Sequence, residues 1–298
     1  MAVSFGSFWI AFMRYCRIDP SGQKKILDQA TKPFRPQVKE AREHWDKAPF
    51  EELWIRAEDG VKLYGRLYRH PEAERTVVLF HGYRSSGSSD FACGMSFYYD
   101  ELKCNLLLID QRAHGKSGGV LITFGVKERL DCLSWAKETA KRSNGMPIYL
   151  AGISMGAAAV LMAADLPFPE TVRGVIADCG YTCPKEILEK VIRTDMHLPV
   201  KPFLWMLQVW FRLTSGVRLD AASGTRALQR SALPVFFAHG TGDSFVPYTM
   251  SQSNYNACAS QYKRLLLAEG AAHGMSFMTD QERYIEELKD FIAGIERK

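Results

Sequence analysis

Six short apolar runs recur along this chain from residue 76 onward, and each ends at a glycine or a polar turn. Helix-like stretches separate most of them, including residues 125–141 and 155–164. Continuous apolar runs are typical of parallel strands buried on both faces, because helices then cover the sheet on either side. We therefore predict an α/β fold with a mainly parallel sheet, with strands at residues 76–80, 105–109, 148–151, 172–177, 234–238 and 264–267.

A hairpin is predicted ahead of these runs. Apolar residues at 53–55 and 61–64 flank Asp59 and Gly60, a dipeptide that favours a tight turn between antiparallel strands. The two-residue alternation of an antiparallel sheet is absent beyond this point. The hairpin therefore adds antiparallel strands to a sheet that is otherwise parallel.

More than fifty residues separate the run that ends at residue 177 from the run that begins at 234. A simple crossover between strands does not need this length. We interpret residues 182–230 as a helical cap inserted over the carboxyl ends of the strands. The predicted organisation is an N-terminal helical extension at 1–50, a core domain at 51–181 and 231–298, and the cap between the two core segments.

The sequence GISMG at residues 152–156 follows a predicted strand and precedes a small-residue helix. A serine hydroxyl becomes a catalytic nucleophile when a sharp turn lifts it clear of the sheet and a base accepts its proton. Such a turn leaves no room for side chains two residues before and two residues after the serine. Ser154 is therefore the predicted nucleophile.

An acid and a histidine follow Ser154 in the order that this nucleophile turn requires. Asp243 and His273 each lie just past a predicted strand, so both can meet Ser154 at one edge of the sheet. We predict that His273 is the general base and that Asp243 orients it. Asp178 also ends a strand and is the alternative acid. His239 and His81 each precede a glycine at a strand end, and we expect both to bond backbone groups in turns.

Acyl transfer also needs N–H donors for the oxyanion of the tetrahedral intermediate. Met155 follows the nucleophile directly and is expected to supply one backbone N–H. The loop after residues 76–80 is expected to supply the other through Tyr83, whose phenol either touches the substrate or packs.

Taken together, residues 76–82, 110–118, 152–156, 177–182, 239–247 and 270–274 resemble the α/β-hydrolase superfamily, in particular its bacterial serine-aminopeptidase-like (S33) and Bem46-like branch. The resemblance covers about residues 50–296. It implies a mainly parallel sheet of about eight strands, with Ser154, Asp243 and His273 as the catalytic triad. It also implies oxyanion contacts at Tyr83 and Met155.

Charge and cysteine content exclude several other classes. The net charge of +5 is spread along the chain without a basic run, which argues against nucleic-acid binding. The seven cysteines are odd in number and form no CxxC motif. We expect no metal and no cofactor, and free thiols in a reducing, cytoplasmic setting. A disulfide between Cys179 and Cys183 is the weaker alternative.

The first fifteen residues are apolar and aromatic. Phe5, Phe8, Trp9, Phe12 and Met13 have the spacing of one helical face, which predicts an amphipathic helix. Two interpretations stay open, a helix packed on the domain and a peripheral contact with a membrane surface. The run is too short to span a bilayer.

The leading functional hypothesis is hydrolysis of small to medium carboxylic esters. The apolar cap residues Phe203, Trp205, Met206 and Trp210 are expected to line an acyl pocket, although packing of the cap would use the same residues.

Three other functions stay open on sequence alone. A peptidase, aminopeptidase or amidase would need carboxylates such as Glu186 and Glu189 to hold a substrate amine. A thioesterase or acyltransferase would use the same triad. A ligand-binding protein on the same fold would use the pocket without the chemistry. The expected partner is a small-molecule ester or amide, and the sequence predicts no particular oligomer.

Overall fold

The computed structural model describes residues 6, 11–14, 29 and 31–297. Its centre is one eight-stranded sheet with the order β1-β2-β4-β3-β5-β6-β7-β8. The strands are β1 (Glu51–Arg56), β2 (Lys62–Tyr68), β3 (Arg75–Phe80), β4 (Cys104–Asp110), β5 (Ile148–Ile153), β6 (Val172–Asp178), β7 (Val235–Gly240) and β8 (Lys263–Ala268).

The first two strands form the predicted hairpin. β1 pairs antiparallel with β2, and β2 pairs antiparallel with β4. All other neighbouring strands are parallel. The predicted α/β fold with a mainly parallel sheet of about eight strands is therefore confirmed.

Helices cover both faces of this sheet. In the described part of the chain they are α1 (Arg35–Lys47), α2 (Gly87–Asp90), α3 (Ala92–Ser96), α4 (Glu128–Arg142), α5 (Met155–Met162), α6 (Pro184–Lys190), α7 (Val200–Ser215), α8 (Gly224–Leu228), α9 (Tyr248–Ala257), α10 (Ser276–Thr279) and α11 (Gln281–Glu296). A short 3₁₀ turn at Lys32–Phe34 and single π-helical turns at Phe97–Glu101 and Val191–Asp195 also occur.

The continuous apolar runs arise because the sheet is buried on both faces. Adjacent residues of β3 point to opposite sides: Val78 packs in the cluster that contains Trp135, and Val77 packs in the cluster that contains Phe291. All four side chains are fully buried. Each residue of such a strand must therefore be apolar, which removes the alternation of a half-exposed strand.

The long segment between β6 and β7 folds as α6, a π-helical turn, α7 and α8. We call this segment the cap. The buried face of α7 carries Leu204, Leu207 and Phe211, which join an apolar cluster with Met155 of the nucleophile turn. The cap therefore packs on the carboxyl edge of the sheet, where Ser154 lies.

The predicted amphipathic helix at the N-terminus lies largely outside the described residues. Of its apolar face, Phe12 and Met13 are described: Phe12 is helical, as is Ala11 before it, whereas Met13 forms an isolated antiparallel bridge with Leu121. Within the described residues, no helix has the length and apolar character needed to cross a membrane.

Candidate active site

Ser154 occupies the turn between β5 and α5 with φ of 57° and ψ of −116°. A Cβ on Gly152 would lie 2.4 Å from the backbone N of Ala157. A Cβ on Gly156 would lie 1.9 Å from the carbonyl oxygen of Phe80. Both distances are far below van der Waals contact, so the close approach of backbone to backbone requires glycine at each position. A positive φ at a serine costs about 1–3 kcal/mol, and the tight packing around the turn holds it there.

Ser154, His273 and Asp243 form one chain of hydrogen bonds. The Nε2 atom of His273 lies 2.8 Å from Ser154 Oγ, and its Nδ1 atom lies 2.6 Å from Asp243 Oδ2. Because the carboxylate can only accept, Nδ1 carries the proton and Nε2 is free to accept the serine proton. The alternative acid, Asp178, instead accepts a hydrogen bond from Ser276 Oγ at 2.8 Å.

Four N–H groups surround the carboxylate of Asp243. The backbone N–H groups of Phe245 and Val246 both donate to Oδ1 at 2.9 Å, and His239 and His273 approach Oδ2. Burial by itself would raise the pKa of Asp243. The charge of His273 and the hydrogen bonds from His239 and His273 outweigh burial and hold this pKa well below its usual range.

His239 contacts Asp243 directly, which its place before a glycine did not predict. Its Nε2 atom lies 3.1 Å from Asp243 Oδ2 and 2.9 Å from the carbonyl of Val246, so the proton is on Nε2. Its Nδ1 atom accepts from the hydroxyl of Ser251 at 2.6 Å. It bonds backbone as expected, but it also bonds the acid, because the turn after β7 folds the Asp243 carboxylate back over the strand end.

The loop at residues 82–84, which we call the oxyanion loop after its predicted role, lies directly against Ser154. A Cβ on Gly82 would be 3.4 Å from Ser154 Cβ and 3.2 Å from Asp90 Oδ2. The Gly82 N–H donates to Asp90 Oδ2 at 2.6 Å, and the Ser85 hydroxyl bonds the other oxygen. Burial raises the pKa of Asp90. The site therefore contains a second carboxylate beside Ser154.

Two neutral histidines hold the backbone of the same loop. His81 Nδ1 donates to the carbonyl of Gly82 at 2.8 Å, and its Nε2 accepts from the N–H of Gln111. His114 Nε2 accepts from the N–H of Arg84 at 2.9 Å. Burial lowers the pKa of His81 to about 4 and that of His114 to about 3. The accepting nitrogens require the neutral rings.

Tyr83 and Met155, the expected oxyanion donors, follow Gly82 and Ser154. Met155 is the first residue of α5, and the first N–H groups of a helix lack intrahelical acceptors. The phenol of Tyr83 donates to the carbonyl of Ala11 at 2.8 Å, and its ring stacks on Phe124. Of the two roles considered for this phenol, the structure therefore favours packing.

The four cap residues expected to line the pocket divide into two groups. Phe203 and Trp210 are partly buried and pack against the apolar cluster that includes Met155. Met206 is half-buried. Trp205 is 69% exposed, so it is less buried than the other three, and its place in a pocket stays a prediction. Trp205 lies on a different side of α7 from the buried residues Leu204, Leu207 and Phe211. The apolar content of the helix alone does not tell which of its sides faces the core.

Lys190 joins the cap to the loop that follows Asp243. Its ammonium bonds the carboxylate of Asp195 at 2.8 Å and the carbonyl of Ser244 at 2.7 Å. The next residue, Phe245, packs edge-on against the His273 ring with centroids 5.1 Å apart. Lys190 of the cap thus bonds the residue next to Asp243, and the residue after that contacts His273.

Cys179 places its thiol within 4.8 Å of ligand atoms of both Asp243 and His273. Burial raises the pKa of this thiol well above its usual value, so it is protonated at neutral pH. Asp243 and His273 already bond each other, and we assign no metal to this group. Cys179 and Cys183 are both free, so the disulfide considered for them is absent.

A family model described as the alpha/beta hydrolase family matches residues 77–287. This chain is a member of the α/β-hydrolase family. The matched range includes the turn that carries Ser154, the cap, Asp243 and His273.

Curated proteins related to this α/β-hydrolase include YqkD of Bacillus subtilis, which is described as uncharacterized. It is 26% identical over 234 residues, which cover 78% of this chain and 76% of that protein. Caffeoylshikimate esterase of Arabidopsis thaliana is 24% identical over 270 residues, which cover 76% of this chain and 79% of the plant protein.

Solved structures share the fold of this α/β-hydrolase. The Pyrococcus furiosus esterase Pf2001 superposes with a TM-score of 0.66 at 22% identity, and the match covers 83% of this chain and 92% of the esterase. Est1E of Butyrivibrio proteoclasticus, solved with ferulic acid bound, has a TM-score of 0.60 at 20% identity. That match covers 83% of this chain and all of Est1E.

Sequence reasoning missed Asp90 and the contacts of His239 and His114 with the site. The fold brings these side chains in from a short helix, the end of a strand and a loop. Asp90 had one local signal, its position four residues after Ser86 at the end of a short helix, but that signal does not distinguish it from other surface aspartates. His239 was visible as a strand-end residue four positions from the acid.

Proposed function

We propose that this α/β-hydrolase is a serine esterase that cleaves carboxylic esters with small to medium acyl groups. The observation that carries the proposal is the hydrogen-bond chain from Ser154 Oγ through His273 to Asp243, with links of 2.8 and 2.6 Å. Both distances are hydrogen-bond lengths expected of a nucleophile–base–acid arrangement, and the link from Ser154 to His273 is within reach for proton transfer.

In the acylation step, Ser154 Oγ attacks the carbonyl carbon of the ester while its proton moves to His273 Nε2. The carbonyl π-electrons move to the oxygen and form a tetrahedral oxyanion. The oxyanion then collapses, the bond to the alkoxy oxygen breaks, and His273 gives its proton to the departing alcohol. Asp243 keeps the imidazole oriented and stabilises its positive form throughout.

In the deacylation step, water takes the place of the alcohol. His273 Nε2 accepts a proton from the water as its oxygen attacks the acyl carbon. The second tetrahedral intermediate collapses, the bond to Ser154 Oγ breaks, and Ser154 recovers its proton from His273. The products are a carboxylic acid and the free enzyme.

The N–H groups of Tyr83 and Met155 are the proposed donors to both oxyanions. A preorganised donor of this kind contributes about 100- to 1000-fold to kcat. The support is the position of the two residues, one on the loop that lies against Ser154 and one at the start of α5. The backbone N–H groups of Gly82 and Arg84 donate to Asp90 and His114, which fixes the loop on either side of Tyr83.

Two observations support an ester as the substrate: the names of related proteins and the apolar residues of the cap. The Arabidopsis relative is named caffeoylshikimate esterase, and two similar structures are named as an esterase and as Est1E with ferulic acid. Phe203 and Trp210 of the cap offer apolar surface near Met155 for an acyl group.

The aminopeptidase alternative has weaker support. Glu186, which would hold a substrate amine, accepts a hydrogen bond from Thr182. Glu189 pairs with Arg193 at 2.7 Å. Both carboxylates are therefore engaged within the cap itself.

Labelling by a fluorophosphonate, followed by turnover of p-nitrophenyl esters from acetate to laurate, tests the proposal. We expect the wild-type protein to label and to hydrolyse the shorter esters, and Ser154→Ala to do neither. Folded wild-type protein that labels but cleaves aminoacyl anilides faster than esters would favour the amidase alternative. Absence of labelling in folded protein would favour the ligand-binding alternative.

A further inference from the structure

Residues 11–14, which we call the N-terminal strap, cross the face of the domain on which the candidate site lies. The N–H of Ile122 donates to the carbonyl of Phe12 at 2.7 Å, and the N–H of Arg14 donates to the carbonyl of Val120 at 3.0 Å. The strap is therefore seated by backbone hydrogen bonds on the loop that leads from β4 to α4.

The strap also holds the oxyanion loop. Tyr83 Oη donates to the carbonyl of Ala11 at 2.8 Å, and Arg84 Nη2 donates to the carbonyl of Met13 at 3.2 Å. The Arg84 guanidinium lies over the Tyr83 ring, 4.8 Å from its centroid. Two consecutive side chains of the loop beside Ser154 are thus bonded to backbone carbonyls of the strap.

Phe12 extends from the strap into the apolar region between cap and core. It is fully buried. Its ring lies 5.3 Å from that of Phe124 and 5.0 Å from that of Phe211 on α7, measured between centroids. Phe124 in turn stacks on Tyr83 at 5.0 Å. The Phe12 ring therefore fills the space between α7 and Phe124, the residue that stacks on Tyr83 of the oxyanion loop. Phe12, Phe124 and Phe211 belong to the apolar cluster that contains Met155.

We propose that Phe12 is a specificity-determining residue, whose ring closes the acyl pocket and limits the length of the acyl chain. This inference rests on the proposed ester hydrolysis at Ser154. Apolar cavities left by a truncated side chain remain empty of water and accept apolar ligands. Removing the ring would therefore open a dry space beside the cap, and a longer acyl chain would fill it.

The test compares how fast short and long alkyl fluorophosphonates, with ethyl and dodecyl chains, inactivate wild-type protein and Phe12→Ala. We expect the long-to-short ratio of rate constants to rise at least about tenfold in Phe12→Ala, since each methylene in an apolar pocket changes discrimination by roughly 10-fold or more. The laurate-to-acetate ratio of kcat/KM for p-nitrophenyl esters should rise in parallel.

Phe291→Ala is the matched control, because Phe291 is also fully buried but lies in the cluster on the opposite face of the sheet. It should lose stability and keep the wild-type ratio. If Phe12→Ala does not fold, Phe12→Leu replaces it and should raise the ratio by a smaller factor, about threefold.

The outcomes separate the two proposals. Labelled, folded Phe12 variants with the wild-type ratio would overturn the role of Phe12 and leave the esterase proposal intact. A rise of equal size in Phe291→Ala would also overturn it, because the effect would then follow from lost stability. Wild-type protein that labels with neither probe would overturn both proposals.

Discussion

His239 donates a second side-chain hydrogen bond to Asp243, from Nε2 to Oδ2 at 3.1 Å, on the same oxygen that His273 approaches. Both His239 and the Asp243 side chain are fully buried. His239 is thus placed to fix the direction in which the carboxylate faces the base. Its own orientation is set by Ser251 on α9.

We expect His239→Leu to lower kcat by roughly 10- to 100-fold with little change in KM. A hydrogen bond to a charged group contributes about 1.5–3 kcal/mol, and its loss leaves the carboxylate less well oriented. The measurement is ester turnover per active site, titrated with fluorophosphonate. His239→Gln retains an N–H donor and should recover part of the loss. Equal activity of Leu and Gln variants would show that the bond does not matter to catalysis.

Gly156→Ala should prevent normal folding of the nucleophile turn. The added methyl would lie 1.9 Å from the Phe80 carbonyl oxygen, and neither strand nor helix can move away without breaking β3–β5 pairing. We expect a loss of several kcal/mol in the free energy of unfolding, roughly 3 kcal/mol or more. Urea denaturation measures this loss.

Gly94→Ala is the control for this prediction. Gly94 lies in α3 with nothing within 4 Å of an added Cβ. Alanine in a helix is more favourable than glycine by about 0.5–1 kcal/mol, so this variant should be as stable as the wild type or more so. A similar loss in both variants would contradict the steric argument.

Asp90→Asn should shift the acid limb of the pH profile of kcat/KM to lower pH. The carboxylate beside Ser154 favours the positive, inactive form of the base, so its removal lets the neutral form persist further into acid. A shift of roughly 0.5–1 pH unit is expected from the interaction between the charges of Asp90 and His273. Asparagine can still accept the Gly82 N–H bond, which keeps the loop in place.

Ser85→Ala is the companion variant for Asp90. It removes the hydroxyl whose hydrogen bond lowers the pKa of Asp90, so the acid group stays but gives up its proton less readily. The acid limb should therefore move in the same direction as in Asp90→Asn, by a smaller amount. An unchanged limb in folded Asp90→Asn would mean that this carboxylate acts on the loop alone and does not influence the base.

Stability should fall as the pH decreases below about 6.5, because two histidines stay neutral in the folded protein. Burial lowers the pKa of His81 to about 4 and that of His114 to about 3. In the unfolded chain these histidines have a pKa near 6.5. Between about pH 6.5 and the lower pKa values of the folded protein, the unfolded chain therefore binds more protons than the native state. Each histidine then costs about 1.4 kcal/mol of stability per pH unit.

Chemical denaturation at a series of pH values from 7.5 to about 4 tests this dependence. His114→Gln retains a hydrogen-bonding side chain without a titrating ring. It should have a shallower slope of unfolding free energy against pH across this window. An identical slope in wild type and variant would rule out His114 as a source of acid sensitivity.

Local pattern was enough to predict much of the fold. The apolar run at 76–80 became β3 at Arg75–Phe80, and the run at 105–109 became β4 at Cys104–Asp110. Strands buried on both faces are visible in sequence because every residue in them must be apolar. The nucleophile turn was equally local, since Gly152 and Gly156 are required by backbone contacts within a few residues of Ser154 and with the adjoining strand.

The tertiary structure decided which side chains meet. Asp178 ends β6 and Asp243 follows β7, and the sequence favoured Asp243 with Asp178 as the alternative acid. The turn after β7 brings Asp243 to His273, while Asp178 bonds Ser276. Phe203 and Trp205 are both apolar, yet the rotation of α7 partly buries one and exposes the other.

The sequence by itself determined the layered fold, the strand positions and the serine turn, because each depends on burial or sterics over a few neighbouring residues. Only the tertiary structure decided that Asp90, His114 and His239 support the site and that Phe12 lies against the cap. The contacts of Phe12 and His114 join segments that are far apart in the chain, and those of His239 and Asp90 depend on how the turns beside these residues fold. Their geometry depends on how crossovers stack the strands, which no local spacing encodes.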